Sequence, residues 1–145
     1  GYKVNFVQDN ESKSTKGVLR GLHYQLPPYT QAKLVRVIEG SVLDVAVDIR
    51  KSSPTFGQHV SLELTAQNKH QLFVPHGFAH GFVVLSNSAT FAYKVDNYYA
   101  PEHDRGIAFD DKELKINWQL LAEELQLSDK DKAHPSLANA KDSFE

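Results

Sequence analysis

Apolar and polar residues alternate over most of this chain, and this period of two constrains the fold more than any other feature. It is found in seven segments rich in β-branched and aromatic residues: 4–8, 17–24, 33–39, 42–49, 60–65, 81–85 and 89–95. Turn residues separate these segments, for example Glu39-Gly40 and Ser53-Pro54. Many short strands without a long helix are typical of a sandwich, barrel or jelly roll. We therefore predict an all-β fold.

Helical spacing occurs only near the C-terminus. Trp118, Leu121 and Leu125 follow Asn117, a candidate N-cap, and a second short helical turn is predicted to start at Ser128. A length of 145 residues suffices for one hydrophobic core, and the sequence contains no internal repeat or linker. We predict a single domain over residues 1–145 with short C-terminal helices.

Composition excludes several classes of function. The net charge is −2 and no run of Lys or Arg occurs, which argues against a nucleic-acid partner. No apolar stretch reaches the roughly 20 residues that span a bilayer, so no membrane partner is expected. Cysteine is absent, which rules out disulfides and thiolate chemistry and fits a cytoplasmic protein.

The alternation within strands indicates where a pocket lies. Lys33 shares a strand face with Val35 and Val37, so its ammonium group is predicted to point into the β interior, where it needs an anionic partner. Simple alternation places Arg20 and His23 on opposite faces. If both serve one pocket, a bulge at Gly21 must turn one of them.

Two blocks, residues 17–40 and 75–80, resemble the two motifs of the cupin superfamily. The resemblance implies a double-stranded β-helix, the cupin jelly roll, with His23, Gln25, Lys33 and His80 around the barrel mouth. Metal-binding cupins have a His at the Gln25 position and a Glu at the Lys33 position. Because an ammonium group repels a divalent cation and two histidines are few ligands, we expect no metal.

A narrower resemblance covers the chain from about Phe6 to Pro135. Seven blocks run in the order and spacing of the dTDP-4-dehydrorhamnose 3,5-epimerase family: 6–10, 17–25, 32–36, 44–50, 53–57, 77–82 and 93–99. The resemblance implies an enzyme without cofactor that inverts C3 and C5 of dTDP-4-keto-6-deoxyglucose. It also implies a homodimer.

The family resemblance assigns roles to individual residues. His23 matches the general base, and Asp131 matches the carboxylate that orients it, with Asp129 as a competitor because the alignment needs an insertion after Trp118. Tyr93 matches the general acid and Lys33 the group that stabilises the O4 oxyanion. The substrate-binding positions are Gln8, Asn10, Arg20, His80, Asp104 and Lys130, and we expect Tyr99 to pack against the thymine or ribose.

These residue types suit the implied reaction. Removing a proton beside a ketone places negative charge on the carbonyl oxygen, which a positioned ammonium group stabilises. Neutral imidazole is the commonest general base, and a carboxylate on its other nitrogen fixes the tautomer. Inversion requires a proton from the face opposite the base, so the acid must be a second group, which a tyrosine can be.

Each residue also has a structural interpretation. His23 could be a hydrogen-bonded structural histidine, Tyr93 could be a core residue, and Arg20 could pair with Asp44 or Asp48. Asp131 could be a helix-start carboxylate. The remaining histidines are predicted to be surface or loop residues: His59, His70, His76, His103 and His134.

Three other functions stay open on the sequence. They are a single-centre epimerase, a metal-dependent cupin oxygenase or isomerase, and a jelly roll that binds nucleotide sugars without catalysis. The family also has an N-terminal segment that contributes an Arg and a Glu to the ligand. Nothing in this chain matches that segment, so we expect a domain that lacks it.

Overall fold

The computed structural model describes residues 3–140, and most regular structure in this range is β-strand. Three 3-10 turns, Pro101–His103, Ala122–Glu124 and Leu137–Asn139, and one short helix, α1 (Asp129–Lys132), occur after the eighth strand. The strands are β1 (Gln8–Thr15), β2 (Leu19–Gln25), β3 (Lys33–Glu39), β4 (Ser41–Asp48), β5 (His59–Thr65), β6 (Gln71–Val74), β7 (Phe78–Val84), β8 (Ser88–Val95) and β9 (Asp104–Gly106).

The strands form two antiparallel sheets. The first sheet has the order β1-β8-β3-β6 and the second has the order β5-β4-β7-β2-β9. Neighbouring strands are often distant in sequence, as β2 and β7 are, which is typical of a jelly roll and not of a simple meander. The all-β jelly roll with short C-terminal helices, predicted from the sequence, is confirmed.

The second sheet is covered on both faces, and this explains why apolar residues occupy successive positions of β4 on either side of Asp44. Its inward positions, including Val42, pack in a cluster between the sheets with Val35, Phe82 and Phe91. Its outward positions, including Leu43, Val45 and Val47, pack in a cluster with the C-terminal residues Leu114 and Trp118. A strand buried on both faces needs apolar residues at successive positions. The C-terminal segment therefore forms a third layer.

Three strands differ from the sequence prediction. A strand was expected at residues 4–8, but β1 begins at Gln8 and runs to Thr15. β1 is an edge strand whose side chains are mostly polar, so apolar alternation does not mark it. The short strands β6 and β9 were not predicted, because four and three residues are too few to show a period.

The helix expected around Trp118 and Leu125 does not form. Only the 3-10 turn Ala122–Glu124 occurs there, because Gln119 has a φ of +68°, which no α-helix accommodates. The Asn117 side chain accepts a hydrogen bond from the Gln119 N–H and so stabilises a turn in place of a helix. The turn predicted at Ser128 is confirmed as α1, whose N-cap is Ser128. Within the described residues, no helix has the length and apolar character needed to cross a membrane.

Candidate active site

A cleft of about 490 Å³ opens between the two sheets at one end of the jelly roll. Both sheets and α1 contribute to it, so its walls come from chain segments that are far apart in sequence. We call it the central cleft. Its lining residues are Gln8, Asn10, His23, Tyr24, Gln25, Gln31, Lys33, Tyr93, Tyr99, Asp104 and Lys130. Eight of these residues were predicted from the sequence to belong to the site, and Gln25 was predicted to lie at the barrel mouth.

The first sheet supplies one wall through the register of three neighbouring strands. Tyr93 on β8 lies opposite Asn10 on β1 and opposite Val35 on β3. Lys33 lies two residues before Val35, so strand alternation puts Lys33 and Tyr93 on one face of the sheet. The prediction that Lys33 points into the interior agrees with its place in the lining of the cleft.

The second sheet supplies the opposite wall, and Gly21 determines its geometry. In the pairing of β2 with β7, Arg20 lies opposite Phe82 and His23 lies opposite His80, so two residues of β2, Gly21 and Leu22, face the single residue Gly81 of β7. This bulge puts Arg20 and His23 on the same inner face, as the sequence required if both serve one pocket. Gly21 has a φ of +128°, and a Cβ there would lie 2.6 Å from the Cα of Gly81. Only glycine fits this bulge.

His23 is held from behind by Asp131, the single buried residue of α1. The His23 Nε2 and Asp131 Oδ1 atoms are 2.5 Å apart. The Gly21 N–H donates to the second carboxylate oxygen, Oδ2, over 3.3 Å. With Nε2 engaged by the carboxylate, Nδ1 is the ring nitrogen that remains for a substrate. Asp129 is exposed, so Asp131 and not Asp129 is the partner of His23.

The Asp131 carboxyl group is ionised in this environment. Burial pushes its pKa upward, but the hydrogen bonds from His23, Gly21 and His134 and the charge of His23 outweigh burial, so the pKa lies below its ordinary value. An ionised carboxylate only accepts hydrogen bonds, so the His23 Nε2 must carry the hydrogen. This tautomer leaves a lone pair on Nδ1.

The environment of Lys33 makes its ammonium group easier to deprotonate. Burial lowers the Lys33 pKa below 10.5, while the carboxylates of Asp44 and Asp104 oppose this shift. A weakly solvated ammonium group beside a reacting carbonyl interacts with developing negative charge more strongly than one in water. Lys33 is thus placed and desolvated as an oxyanion-stabilising group should be.

Burial also raises the pKa of Tyr93 above 10.0, and the charge of Arg20 partly opposes this shift. The phenol therefore keeps its proton at neutral pH, as a proton donor must. Its ring lies 5.8 Å from the Phe91 ring, so core packing fixes its position. The structural interpretation of Tyr93 as a packed residue and its interpretation as an acid are both compatible with this geometry.

His80 lies behind the central cleft and is not among the cleft-lining residues. It is 6% exposed, and its Nε2 lies 2.7 Å from Asp44 Oδ1. Burial lowers the His80 pKa, and the charge and hydrogen bond of Asp44 oppose this shift. His80, which was predicted to bind substrate, is therefore buried next to Asp44 in this structure.

Arg20 is exposed and is also not among the cleft-lining residues. The alternative that Arg20 pairs with Asp44 or Asp48 is wrong, since these carboxylates bind His80 and Arg50 instead. The charge of Arg20 nevertheless acts on Tyr93. Arg20 is therefore available to a ligand group that extends beyond the lined part of the cleft.

Asp104 and Lys130, whose alignment needed gaps, face each other at the cleft. Lys130 Nζ lies 2.5 Å from Asp104 Oδ2, and this hydrogen bond is the main cause of the raised Lys130 pKa. Tyr99 is 61% exposed at the rim, which leaves its ring free to pack against a flat group. Gln25 is buried, and its amide donates to the carbonyl oxygens of Tyr29 and Tyr98, so it holds two loops of the rim.

His134, predicted to be a surface or loop histidine, does lie in the loop after α1, but its side chain is largely buried. The His134 side chain is 10% exposed, and its Nε2 lies 3.2 Å from Asp131 Oδ1. Burial lowers its pKa, although Asp131 opposes this shift. Tyr24 and Gln31 were also missed as cleft residues. For His134, the spacing of three from Asp131 on a short helical turn was the available signal.

Comparison with known proteins agrees with the fold and the cleft. The sequence profile of the family "dTDP-4-dehydrorhamnose 3,5-epimerase" matches residues 1–139. A dTDP-4-dehydrorhamnose 3,5-epimerase of Shigella flexneri is 62% identical over 131 residues, which are 90% of this chain and 71% of that protein.

Two solved structures are similar over nearly the whole chain. One is the crystal structure of the dTDP-6-deoxy-D-glucose-3,5-epimerase of Legionella pneumophila Philadelphia 1 in complex with dTDP-4-keto-L-rhamnose. Its TM-score is 0.93 and its sequence identity is 54%, and the match covers 97% of this chain and 73% of the Legionella chain. The other is ChmJ, a 3'-monoepimerase from Streptomyces bikiniensis, in complex with dTDP-quinovose. Its TM-score is 0.86 and its sequence identity is 34%, and the match covers 94% of this chain and 68% of the ChmJ chain.

The match of the family profile over nearly the whole chain confirms the resemblance seen in the seven sequence blocks. The enzymes with this level of identity are isomerases, which agrees with a cleft that holds an imidazole, a phenol and an ammonium group. This chain belongs to the dTDP-4-dehydrorhamnose 3,5-epimerase family.

Proposed function

We propose that this protein inverts C3 and C5 of dTDP-4-keto-6-deoxyglucose, and that His23 and Tyr93 act as base and acid. One observation carries the proposal: the imidazole and the phenol come from opposite sheets and line the same cleft, with an ammonium group beside them. A carbon can be inverted only if the proton leaves on one face and returns on the other. Two sheets facing each other supply the two groups.

His23 takes the proton through Nδ1. Asp131 accepts the hydrogen bond from Nε2, which fixes the tautomer and stabilises the imidazolium that forms when the proton is transferred. The Gly21 N–H donates to the carboxylate, and the Ser128 side chain holds the backbone of Asp131 by accepting a hydrogen bond from its N–H over 3.1 Å. The base is therefore positioned by the bulge of β2 and by the N-cap of α1.

Lys33 stabilises the intermediate. When the C–H bond beside the C4 ketone breaks, its electron pair moves into the C–C bond and the charge appears on O4. The Lys33 ammonium group donates a hydrogen bond to that oxygen. An electrostatic donor of this kind is usually worth about 10²–10³ in turnover.

Tyr93 delivers the new proton to the opposite face of the same carbon. Each cycle then leaves a protonated His23 and a deprotonated Tyr93, and exchange with water restores both groups. The same C4 ketone acidifies C3 and C5, so one base and one acid serve both carbons in turn. Hydrogen from solvent is thereby incorporated at each inverted centre.

The remainder of the ligand extends along the cleft away from these groups. Gln8 and Asn10 on β1 offer amides to sugar hydroxyl groups, and Lys130 and Arg20 offer positive charge to the diphosphate. Tyr99 packs against the thymine or ribose. This part of the proposal rests on residue chemistry and on their positions in or beside the cleft.

The test is hydrogen exchange in D₂O with a dTDP-4-keto-6-deoxy sugar, read by NMR at C3 and C5. The wild-type protein should incorporate deuterium at both carbons. His23→Ala should abolish exchange, whereas His70→Ala, a change of an exposed histidine, should leave it intact. No deuterium in the wild-type product would mean a binding protein and contradict the proposal.

Tyr93→Phe separates the acid from the base. The variant should still lose the C5 proton to His23, so deuterium enters, but without a donor on the far face inversion at C5 should fail. The exposed Tyr98 offers the matched control Tyr98→Phe, which should invert both centres. Full inversion by Tyr93→Phe would remove Tyr93 from the acid role.

A single-centre epimerase is the second candidate. The similarity to the 3'-monoepimerase ChmJ favours it, but the identity of 34% is well below the 62% shared with the Shigella flexneri 3,5-epimerase. Deuterium at one carbon only would support the single-centre activity. A metal-dependent cupin reaction would instead be lost after chelation.

Two further expectations form part of this proposal. The homodimer implied by the family is tested by the mass of the protein in solution, and the cytoplasmic location is tested by cell fractionation. A monomeric active enzyme would contradict the first expectation. Activity in a membrane or extracellular fraction would contradict the second.

A further inference from the structure

Three potential metal-ligand atoms converge behind the central cleft. One ring nitrogen each of His23 and His134 and one carboxylate oxygen of Asp131 all lie within 4.8 Å of one another. Both imidazoles direct Nε2 at the same carboxylate oxygen, at 2.5 Å for His23 and 3.2 Å for His134. Among the residues described, no other group of three such ligands meets this criterion.

We propose that His23, Asp131 and His134 form an inhibitory site for a divalent cation of the zinc type. The proposal rests on the role of His23 as the general base. Two imidazoles and one carboxylate are a common ligand set for Zn²⁺, whose fourth position is then open to water. Imidazole ligands favour Zn²⁺, Cu²⁺ and Ni²⁺ over Mg²⁺ and Ca²⁺.

The surroundings fit a bound cation in three respects. The Gly21 N–H binds the other carboxylate oxygen, Oδ2, and so fixes Asp131 as an outer-shell partner does. Gly106 leaves room for His134, since a Cβ there would lie 2.3 Å from its ring. Lys130, the nearby cation, is already paired with Asp104, which reduces its repulsion of an incoming metal ion.

A cation can reach His134 from a second cleft of about 480 Å³, which borders the central cleft. Its lining includes His134, Gly106 and Lys130. Ligands of a tetrahedral zinc ion at about 2.0–2.2 Å lie more than 3 Å apart. The His23 side chain, 33% exposed, must therefore move outward from Asp131, while His134 is already at a suitable separation.

Zinc at this position removes the base by changing its tautomer. A neutral imidazole has one lone pair. When Nε2 gives its lone pair to the metal ion, its hydrogen moves to Nδ1, the nitrogen that must accept the substrate proton. The number of protons is unchanged, but the base is lost. The metal ion lies behind the ring, so substrate can still bind, and the inhibition lowers kcat more than it raises KM.

The experiment measures binding and inhibition separately on the full chain. Calorimetry with ZnCl₂, without substrate, should give one site per chain, and MgCl₂ should give none. Saturating zinc should lower kcat by about 100-fold or more, the contribution of a general base, and EDTA should restore it. A rise in KM alone would point to zinc held by the substrate diphosphate and would overturn the proposal.

His134→Gln is the discriminating variant. The glutamine amide can still donate a hydrogen bond to Asp131 but is a poor zinc ligand. Zinc affinity should therefore fall by about 10- to 100-fold or more, since even the loss of a residue that only supports a metal ligand usually costs that much. The matched control is His76→Gln, which alters an exposed histidine 2.7 Å from the Asp96 carboxylate. This control should bind zinc as the wild type does.

The outcomes distinguish the site from the function. Unchanged zinc affinity in His134→Gln, or lost affinity in His76→Gln, would overturn the site. Zinc binding that depends on His134 but leaves kcat unchanged would keep the site and contradict His23 as the base. Loss of activity in the enzyme treated with EDTA alone would show that the metal ion is required, and would overturn the inhibitory role.

Discussion

At the scale of single residues, the proposed mechanism depends on Lys33, which places a positive charge where the carbonyl oxygen becomes negative. Lys33→Met keeps the length of the side chain but removes the ammonium group. We expect kcat to fall about 100- to 1,000-fold, as is usual when one such donor is lost. Because burial disfavours the charged lysine, the thermal midpoint at pH 7 should not decrease.

Steady-state kinetics and a thermal melt check this prediction. Lys13→Met, on the exposed side of β1, is the control and should leave both values unchanged. A Lys33→Met protein with normal turnover would show that another group stabilises the oxyanion.

The pH dependence of kcat/KM follows from the same lysine. Burial lowers the Lys33 pKa below 10.5 and raises the Tyr93 pKa above 10.0, and we assign the alkaline loss of activity to Lys33, whose ammonium group the proposed mechanism needs. The alkaline limb of the profile should therefore lie below pH 10.5 and persist in Tyr93→Phe when deuterium incorporation is measured. An alkaline limb that disappears in Tyr93→Phe would assign it to the phenol.

At the scale of elements, β2 and α1 act together. The bulge at Gly21 turns His23 into the cleft, and α1 brings Asp131 behind it. Neither element alone forms the pair, because 108 residues separate the two side chains. The site therefore depends on the packing of the C-terminal segment against the second sheet.

Gly21→Ala tests the bulge. Its Cβ would lie 2.6 Å from the Gly81 Cα, in a backbone conformation that alanine avoids, so we expect a loss of at least about 2 kcal/mol in the free energy of unfolding. Gly57→Ala, with φ +81° but no neighbour closer than 3.8 Å, isolates the conformational cost, which should be about 1 kcal/mol. Urea unfolding measures both. Equal losses would mean that the close approach to β7 is unimportant.

At the scale of the whole molecule, a turn whose residues do not line the central cleft links stability to pH. Buried Asp48 accepts hydrogen bonds from Arg50, Ser53 and Thr55 just after β4. Burial raises its pKa, but these hydrogen bonds outweigh burial and hold the pKa well below 3.8. The ionised carboxylate therefore stabilises the fold fully above pH 3.8, and this contribution is lost as the pH falls further.

Asp48→Asn should lower the free energy of unfolding at pH 7 by about 1–2 kcal/mol. The difference from the wild type should shrink below pH 3.8, where the unfolded chain takes up a proton at Asp48 and the folded protein does so only at still lower pH. Chemical unfolding at several pH values checks this. Asp9→Asn, in an exposed pair with Lys94, should change stability by less than about 0.5 kcal/mol. A difference for Asp48→Asn that is constant down to low pH would contradict the role of its charge.

The sequence by itself determined the properties that depend on local pattern. Alternation specified most strands and the inward direction of Lys33, because side chains in a strand alternate whatever their partners are. The lone glycine in β2 marked the bulge, and Ser128 marked the start of α1. The spaced blocks identified the family and with it predicted the roles of His23, Tyr93 and Asp131.

Only the tertiary structure decided which distant groups meet. It separated Asp131 from Asp129, placed His80 behind the cleft against Asp44, and brought His134 onto Asp131. It also made β1 a strand. The residues of β1 are mostly polar and show no apolar alternation, and they are held in the strand by pairing with β8. The physical reason is the same in each case: hydrogen bonds and burial between segments far apart in sequence leave no periodic signal in either segment.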